Sequence, residues 1–379
     1  MIMTPEAFAV SDEFRRGLRT LALSRDPRDV RPLAALVSAY YAADRRPHKI
    51  RDLAALLAVR EGPSDLENPL YDEWEPVLDE LLPEYWEPVL GLLPLFEHVP
   101  AKPGVWAELI ACLTQELVLL GADLTRVPAA LRCAAALRKQ GHPLARLPLR
   151  LSRGERRLLN MHSWSGDWEP HHSPYYLREE TEIEKKTTFP LPRWDARSSR
   201  GGFGHGEPRR VSTPGQERLI AAAVEHWGPP YLAMTIELPR RFEPGEMRSP
   251  AVNALLPGWC GREIRLKGHP ATLRETFAEL FYNACCDVRH VQGFRGGYAR
   301  MKAWQSVAGL VHAPAQASAH RIGRIATRWR WTMFTLVEQR QNYTRDGMIA
   351  IGALSPGGDK VSLLISLSKW APRTANAMS

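Results

Sequence analysis

The chain has 379 residues, of which 44% are apolar and 24% charged, so it can bury a substantial core and is not disordered as a whole. No apolar run reaches the roughly 18–20 residues that a membrane span needs; the best, residues 109–122, is interrupted by Gln115 and Glu116. The net charge of +8 is uneven: residues 1–100 carry 11 basic and 18 acidic side chains (−7) and the remainder 39 and 24 (+15), so the second part suits an anionic partner, the first part, or plain solvation.

The first residues carry Glu6, Asp12 and Glu13 before any basic side chain, unlike a secretory leader. The five cysteines, Cys112, Cys133, Cys260, Cys285 and Cys286, are odd in number and form no Cys-x-x-Cys pair, as expected of buried thiols in a reducing compartment. A cytoplasmic location is the expectation from both.

In chain order, Leu33, Leu36, Val37 and Tyr40 share one helical face, and Leu53, Leu56 and Leu57 continue the pattern. Trp74-Glu75-Pro76-Val77-Leu78 recurs as Trp86-Glu87-Pro88-Val89-Leu90, read as a local helical hairpin with tryptophan anchors. Residues 106–120 carry a stripe of Leu109, Ile110, Leu113, Leu117 and Leu120, with Gly121 placed to end the helix. A second helix is expected over 128–140, stopped at Gly141-His142-Pro143. Residues 161–215 are rich in proline and read as an irregular loop or linker. Beyond them the pattern predicts a helix over 216–227 and a strand over 231–238 with Leu232, Met234, Ile236 and Leu238 on one side. It then predicts a short strand over 264–266 and helices over 272–286, 303–311 and 320–331. Residues 348–354 and 361–367 flank Ser355-Pro356-Gly357-Gly358-Asp359, a β-hairpin signature. The expected class is α+β: a helical domain over 1–160, the irregular segment 161–215, a mixed domain over 216–371 and a tail over 372–379.

Three segments carry a resemblance. They are Glu116-Leu117-Val118-Leu119-Leu120-Gly121-Ala122-Asp123-Leu124 with Val127-Pro128; Gly141-His142-Pro143-Leu144-Ala145 with Leu147-Pro148-Leu149; and, most specific, Leu280-Phe281 through Gly293, Gly296, Tyr298 and Arg300 to Ala303-Trp304 and Ser306. These resemble an uncharacterised bacterial family of unknown function, over roughly residues 105–368 and most strongly over 280–306. The chain departs from that family's pattern at Asp287-Val288-Arg289-His290, where the family carries Gly-Gly-Ala-Tyr. It departs again at Ser366-Leu367-Ser368-Lys369, where the family tends to close its final strand with acids. The resemblance implies a shared fold and supplies no activity.

Among chemistry-bearing groups, residues 292–300 come first. Glycine amides at a helix start can cradle an anion, and arginine forks can grip phosphate or carboxylate. Arg295, Gly296, Gly297, Tyr298 and Arg300 are the expected ligand contacts, with Arg289 nearby. The segment lacks the Gly-Lys-Ser/Thr of a P-loop, and the alternative is a tight interhelical turn with its arginines in solvent. Glu279, Asp287 and His290 are candidate acids or bases should the same cleft belong to an enzyme of unknown class. Glu275 and Glu279 share a helical face, and Ser306 and His312 stand too close in sequence to argue a nucleophile and base. His162, His171 and His172, with Asp167 and Glu169, are metal-ligand types without metal-site spacing, and a packed loop is preferred. Arg321, Arg324 and Arg328 fall on one face of the helix expected over 320–331, a solvated face or a seat for RNA or single strands.

The expectation is therefore binding of an anionic small molecule or protein partner through the loop at 293–300. An enzyme at the same place, or an interaction scaffold built on the tryptophan repeat, is the alternative. Nucleic acid is the less favoured partner for want of a recognised module; no membrane association is expected, and no cofactor is identified.

Overall fold

A computed structural model describes residues 104–152, 154–155, 208–248, 266–285, 294–336 and 348–367, apart from a few positions inside these ranges, together with Ala54, Val252 and Leu255. The tryptophan repeat, the segment 161–207, Arg295, Asp287, His290 and the histidines at 162, 171 and 172 lie outside the described residues. The chain divides into two compact units. Among the described residues, one holds 104–151 with 296–297 and the other holds 152–155, 208–294 and 298–367. The segment 152–155 thus groups with the second unit, on the far side of the boundary expected near residue 160.

The described residues of the first unit are mainly helical. Helix α1 (Val105–Leu119) buries Leu109, Ile110, Leu113 and Leu117 completely, the stripe read from the sequence. Helix α2 (Pro128–Lys139) opens on a proline whose missing N–H is not needed there, and buries Ala130, Cys133 and Leu137. Both helices stop at a glycine for the same reason. Gly121 (φ 100°) lets its own N–H reach Val118 O and the Ala122 N–H reach Leu117 O; Gly141 (φ 72°) does the same for Arg138 O and, through His142, for Leu137 O. This double closure satisfies carbonyls that a helix end leaves open.

Among its described residues the second unit carries an antiparallel sheet of six strands. They are β1 (Arg209–Arg210), β2 (Tyr231–Glu237), β3 (Leu266–Ala271), β4 (Arg330–Leu336), β5 (Met348–Leu354) and β6 (Lys360–Leu367), in the order β1-β2-β6-β5-β4-β3. Alternation sends Leu232, Met234 and Ile236 of β2 to the same face as Val361, Leu363 and Ile365 of β6, and Leu238 follows on that side. Ala350 and Leu354 of β5 and Phe334 of β4 complete that core with Phe242, Met247, Val252 and Leu255. Helices α3 (Pro214–Ile220) and α4 (Leu273–Cys285) pack on the sheet, α3 on β2 and α4 on β4 and β5. The β5–β6 hairpin has the register expected of its turn. Ser355 N–H donates to Lys360 O (2.9 Å), Gly358 (φ 71°) donates to Ser355 O (2.9 Å), and the Ser355 hydroxyl donates to Asp359 Oδ1 (2.6 Å). The protein is thus a mixed α+β chain.

Four expectations shift. Helix α5 (Gly296–Leu310) starts at Gly296 rather than at 303, so the glycine segment is helix and not loop. The helix expected over 216–227 is α3 followed by two 3-10 turns, Ala221–Ala223 and Glu225–Trp227. Strand β3 runs to Ala271 through Pro270, which the sheet tolerates because, among the described residues, β3 stands at the edge and pairs on one side only. Helix α6 (Ala319–Ala326) ends earlier than residue 331, because Trp331-Thr332-Met333-Phe334-Thr335 is aromatic and β-branched sequence suited to a pleat, and it enters β4.

Candidate functional site

The glycine and arginine groups expected to meet an anion are met from inside the protein. Gly296, at the first position of α5, has φ 52°, and a Cβ built there would lie 1.5 Å from Glu116 Oε1. A Cβ on Gly297 would lie 2.6 Å from Gln115 Cβ. Both Glu116 and Gln115 are buried on α1. The carboxylate of Glu116 therefore stands at the helix start, where the amide dipoles favour negative charge.

Arg300 is fully buried. Its Nε donates to Glu155 Oε1 at 2.6 Å and its Nη2 to Oε2 at 3.1 Å. Glu155 also accepts from Trp304 Nε1 (2.8 Å) and from the Ser152 N–H (2.7 Å). Burial would push the Glu155 carboxyl up, but the adjacent Arg300 charge and these donors hold it below the ordinary carboxylate range. Trp304 packs against Phe277 with ring centroids 4.7 Å apart. Arg300 and Trp304 are four residues apart on one helical face, which is why both turn inward together. Instead of facing solvent, Arg300 is held as half of an interior ion pair. Tyr298 is half-buried.

Of the candidate acids and bases, Glu275 and Glu279 lie among the described residues and each has its own local partner. Glu275 accepts the Thr272 N–H (2.8 Å) while the Thr272 hydroxyl accepts the Glu275 N–H (3.2 Å), a reciprocal cap on α4. Half-buried Glu279 accepts from the Asn283 amide at 2.8 Å. Buried Ser306 accepts the Ala223 N–H (2.9 Å), whereas His312 lies near Ser362. No group of three or more His, Cys, Asp or Glu side chains among the described residues is placed to hold a metal ion.

The arginines of α6 stand otherwise. Ala319, Ile322 and Ala326 are buried, while Arg321, Arg324 and Arg328 are exposed and make no ion pair or hydrogen bond through their side chains with any described residue. Ser318 caps the helix by accepting the Arg321 N–H at 3.3 Å. Immediately after Arg328, the ring of half-buried Trp329 stacks on His312, with centroids 5.7 Å apart and planes 16° apart. His312, the more exposed of the two, has φ 55°. The Gln216 amide nitrogen stands 3.0 and 3.1 Å from its ring nitrogens, and Ser362 Oγ lies 3.3 Å from Nε2. Ser362 Oγ is in turn 2.9 Å from Thr235 Oγ1, both residues fully buried. Burial, and secondarily the Lys360 charge, hold the His312 imidazole below its usual value.

Sequence reasoning missed the internal counter-charges. Glu116 had left a signal, an acid interrupting the apolar run 109–122; Glu155, in a run of charged residues, had left none.

The sequence profile of a family of unknown function, DUF6183, matches residues 87–367, well over half of the chain. The chain belongs to that family. No curated protein and no solved structure matches it. Both internally paired centres, Glu116 at Gly296 and Glu155 on Arg300, fall within the span of residues that this family covers.

Proposed function

We propose that this protein binds an anionic partner along the arginines of α6 and the turn that follows it, Arg321, Arg324 and Arg328. One observation carries the reading: Arg321 and Arg324 on α6 and Arg328 in the turn just after it are exposed and have no counter-charge among the described residues. The helix that carries Arg321 and Arg324 is anchored by its opposite face, through Ala319, Ile322 and Ala326, so these two arginines are presented on a fixed element. Arginine's planar fork suits phosphate and carboxylate alike. The same reading seated on the Gly296–Arg300 segment is weaker, because Glu116 and Glu155 already neutralise that segment from within.

The test is retention on immobilised heparin, a generic polyanion. The unaltered protein is expected to elute at distinctly higher salt than the Arg321→Ala, Arg324→Ala, Arg328→Ala triple variant. Co-elution of the two proteins would refute the assignment of binding to this face.

A further inference from the structure

Building on that reading, we propose that the anionic partner is a single-stranded nucleic acid, with its phosphates on Arg321, Arg324 and Arg328 and a base stacked on the His312–Trp329 pair. Two observations separate this ligand from an acidic protein. The row of arginines runs directly into an aromatic residue: Arg328 is followed by Trp329, whose ring lies nearly parallel to that of His312. An acidic peptide would use the arginines and have no use for the rings, whereas a base offers a flat π-face that continues a stack. The pair is also held in place. His312 keeps a left-handed backbone angle that few non-glycine residues adopt, and its imidazole edge is fixed by Gln216 and Ser362. A ring so constrained gives up little freedom on meeting a base.

Duplexes fit less well. Their bases are already stacked and paired, so a lateral aromatic pair has no exposed base face to meet. Arg321 and Arg324 are one helical turn apart, about 5–6 Å between Cβ atoms, and Arg328 follows in the turn after the helix, a short row suited to a few consecutive phosphates.

The experiment is fluorescence anisotropy of the full chain with a labelled 15-nucleotide oligo-dT and the matching oligo-U. Labelled poly-glutamate and a duplex of the same length serve as comparators. Neutralising three phosphates predicts affinity for the single strand falling about 20-fold between 50 and 200 mM salt. The triple arginine variant should abolish most of that salt dependence. Trp329→Leu should weaken binding about 10-fold at constant salt, and Trp329→Phe, which keeps a ring, should restore most of it. The melting temperature of each variant is recorded, and the arginine variant, altered only in exposed side chains, keeps the test decisive if Trp329→Leu fails to fold. Binding to poly-glutamate but to neither oligonucleotide overturns the nucleic-acid inference and leaves the anionic-partner reading standing. Equal affinity for the duplex, or identical affinities for the Leu and Phe variants, overturns the stacking role. Binding to none of the polyanions overturns both.

Discussion

Two arginine-bearing stretches of the same domain differ in where their counter-charge lies. At Arg300 the partner is Glu155, in the interior, with both side chains completely inaccessible. At Arg321, Arg324 and Arg328 no partner exists among the described residues, and the side chains are exposed. The sequence presents both stretches as arginines in or beside a helix. Their difference teaches that a charged residue is a candidate for external binding only once the protein's own acids have been accounted for.

The comparison is broken most forcefully at the buried pair. Arg300→Ala leaves the Glu155 carboxylate buried without its partner and is expected to cost about 3–5 kcal/mol, read as a large loss of melting temperature or of urea midpoint. The apolar double variant Glu155→Leu, Arg300→Met should be clearly more stable than either single truncation. The triple alanine variant of α6 is expected to melt within a degree or two of the parent, because exposed positions of this kind change stability by no more than about 0.5 kcal/mol. Similar losses at the two places would erase the distinction.

Gly296→Ala sharpens the comparison at the helix start. The new methyl would collide with the Glu116 carboxylate and the backbone angle would be strained, for an expected cost of about 1–3 kcal/mol in a denaturation midpoint. An unchanged midpoint would mean that Glu116 moves aside freely and is not the resident charge of that helix start.

The smallest effect is expected at His312, which lies between the two extremes: exposed, yet stacked on Trp329 and held at its ring edge by Gln216 and Ser362. Its folded-state pKa is lowered, so the unfolded chain takes up the proton more readily. Its contribution to stability is present above the unfolded value near 6.5 and is lost as pH falls through that value toward the lower folded one. Half-buried His269 is lowered as well, by burial and then by Lys267, and acts with the same sign. The informative quantity is therefore a difference: His312→Asn, a residue that tolerates the positive φ, should lose less melting temperature between pH 7.5 and 5.5 than the parent. Parallel pH profiles would remove His312 from the account.

Much of the fold was legible because it rests on periodicity and on turn residues. The stripe of α1, the stops at Gly121 and Gly141, the inward side of β2 and the β5–β6 hairpin all follow from residues close in sequence. What was not legible depends on distant residues. Whether Arg300 faces water is decided by Glu155, 145 positions earlier in the chain. Helix α5 could begin at Gly296 because tertiary contacts override the low helix propensity of two adjacent glycines. Strand β4 was hidden because Arg324, Arg328 and Trp329 continue a helical spacing beyond the point where the chain leaves the helix. Of the candidate site, the spacing of Arg321, Arg324 and Arg328 could be read directly, but the stacking of Trp329 on His312 could not, since the two are 17 positions apart and joined by no local pattern.

The position of Glu155 also bears on how the protein can be taken apart in the laboratory. The sheet-bearing unit looks, from its strands, as though it could be expressed from residue 208 onward. Such a fragment would carry Arg300 and Trp304 into its core without the carboxylate that accepts from both. A fragment that keeps this carboxylate together with the amide that orients it starts no later than Ser152.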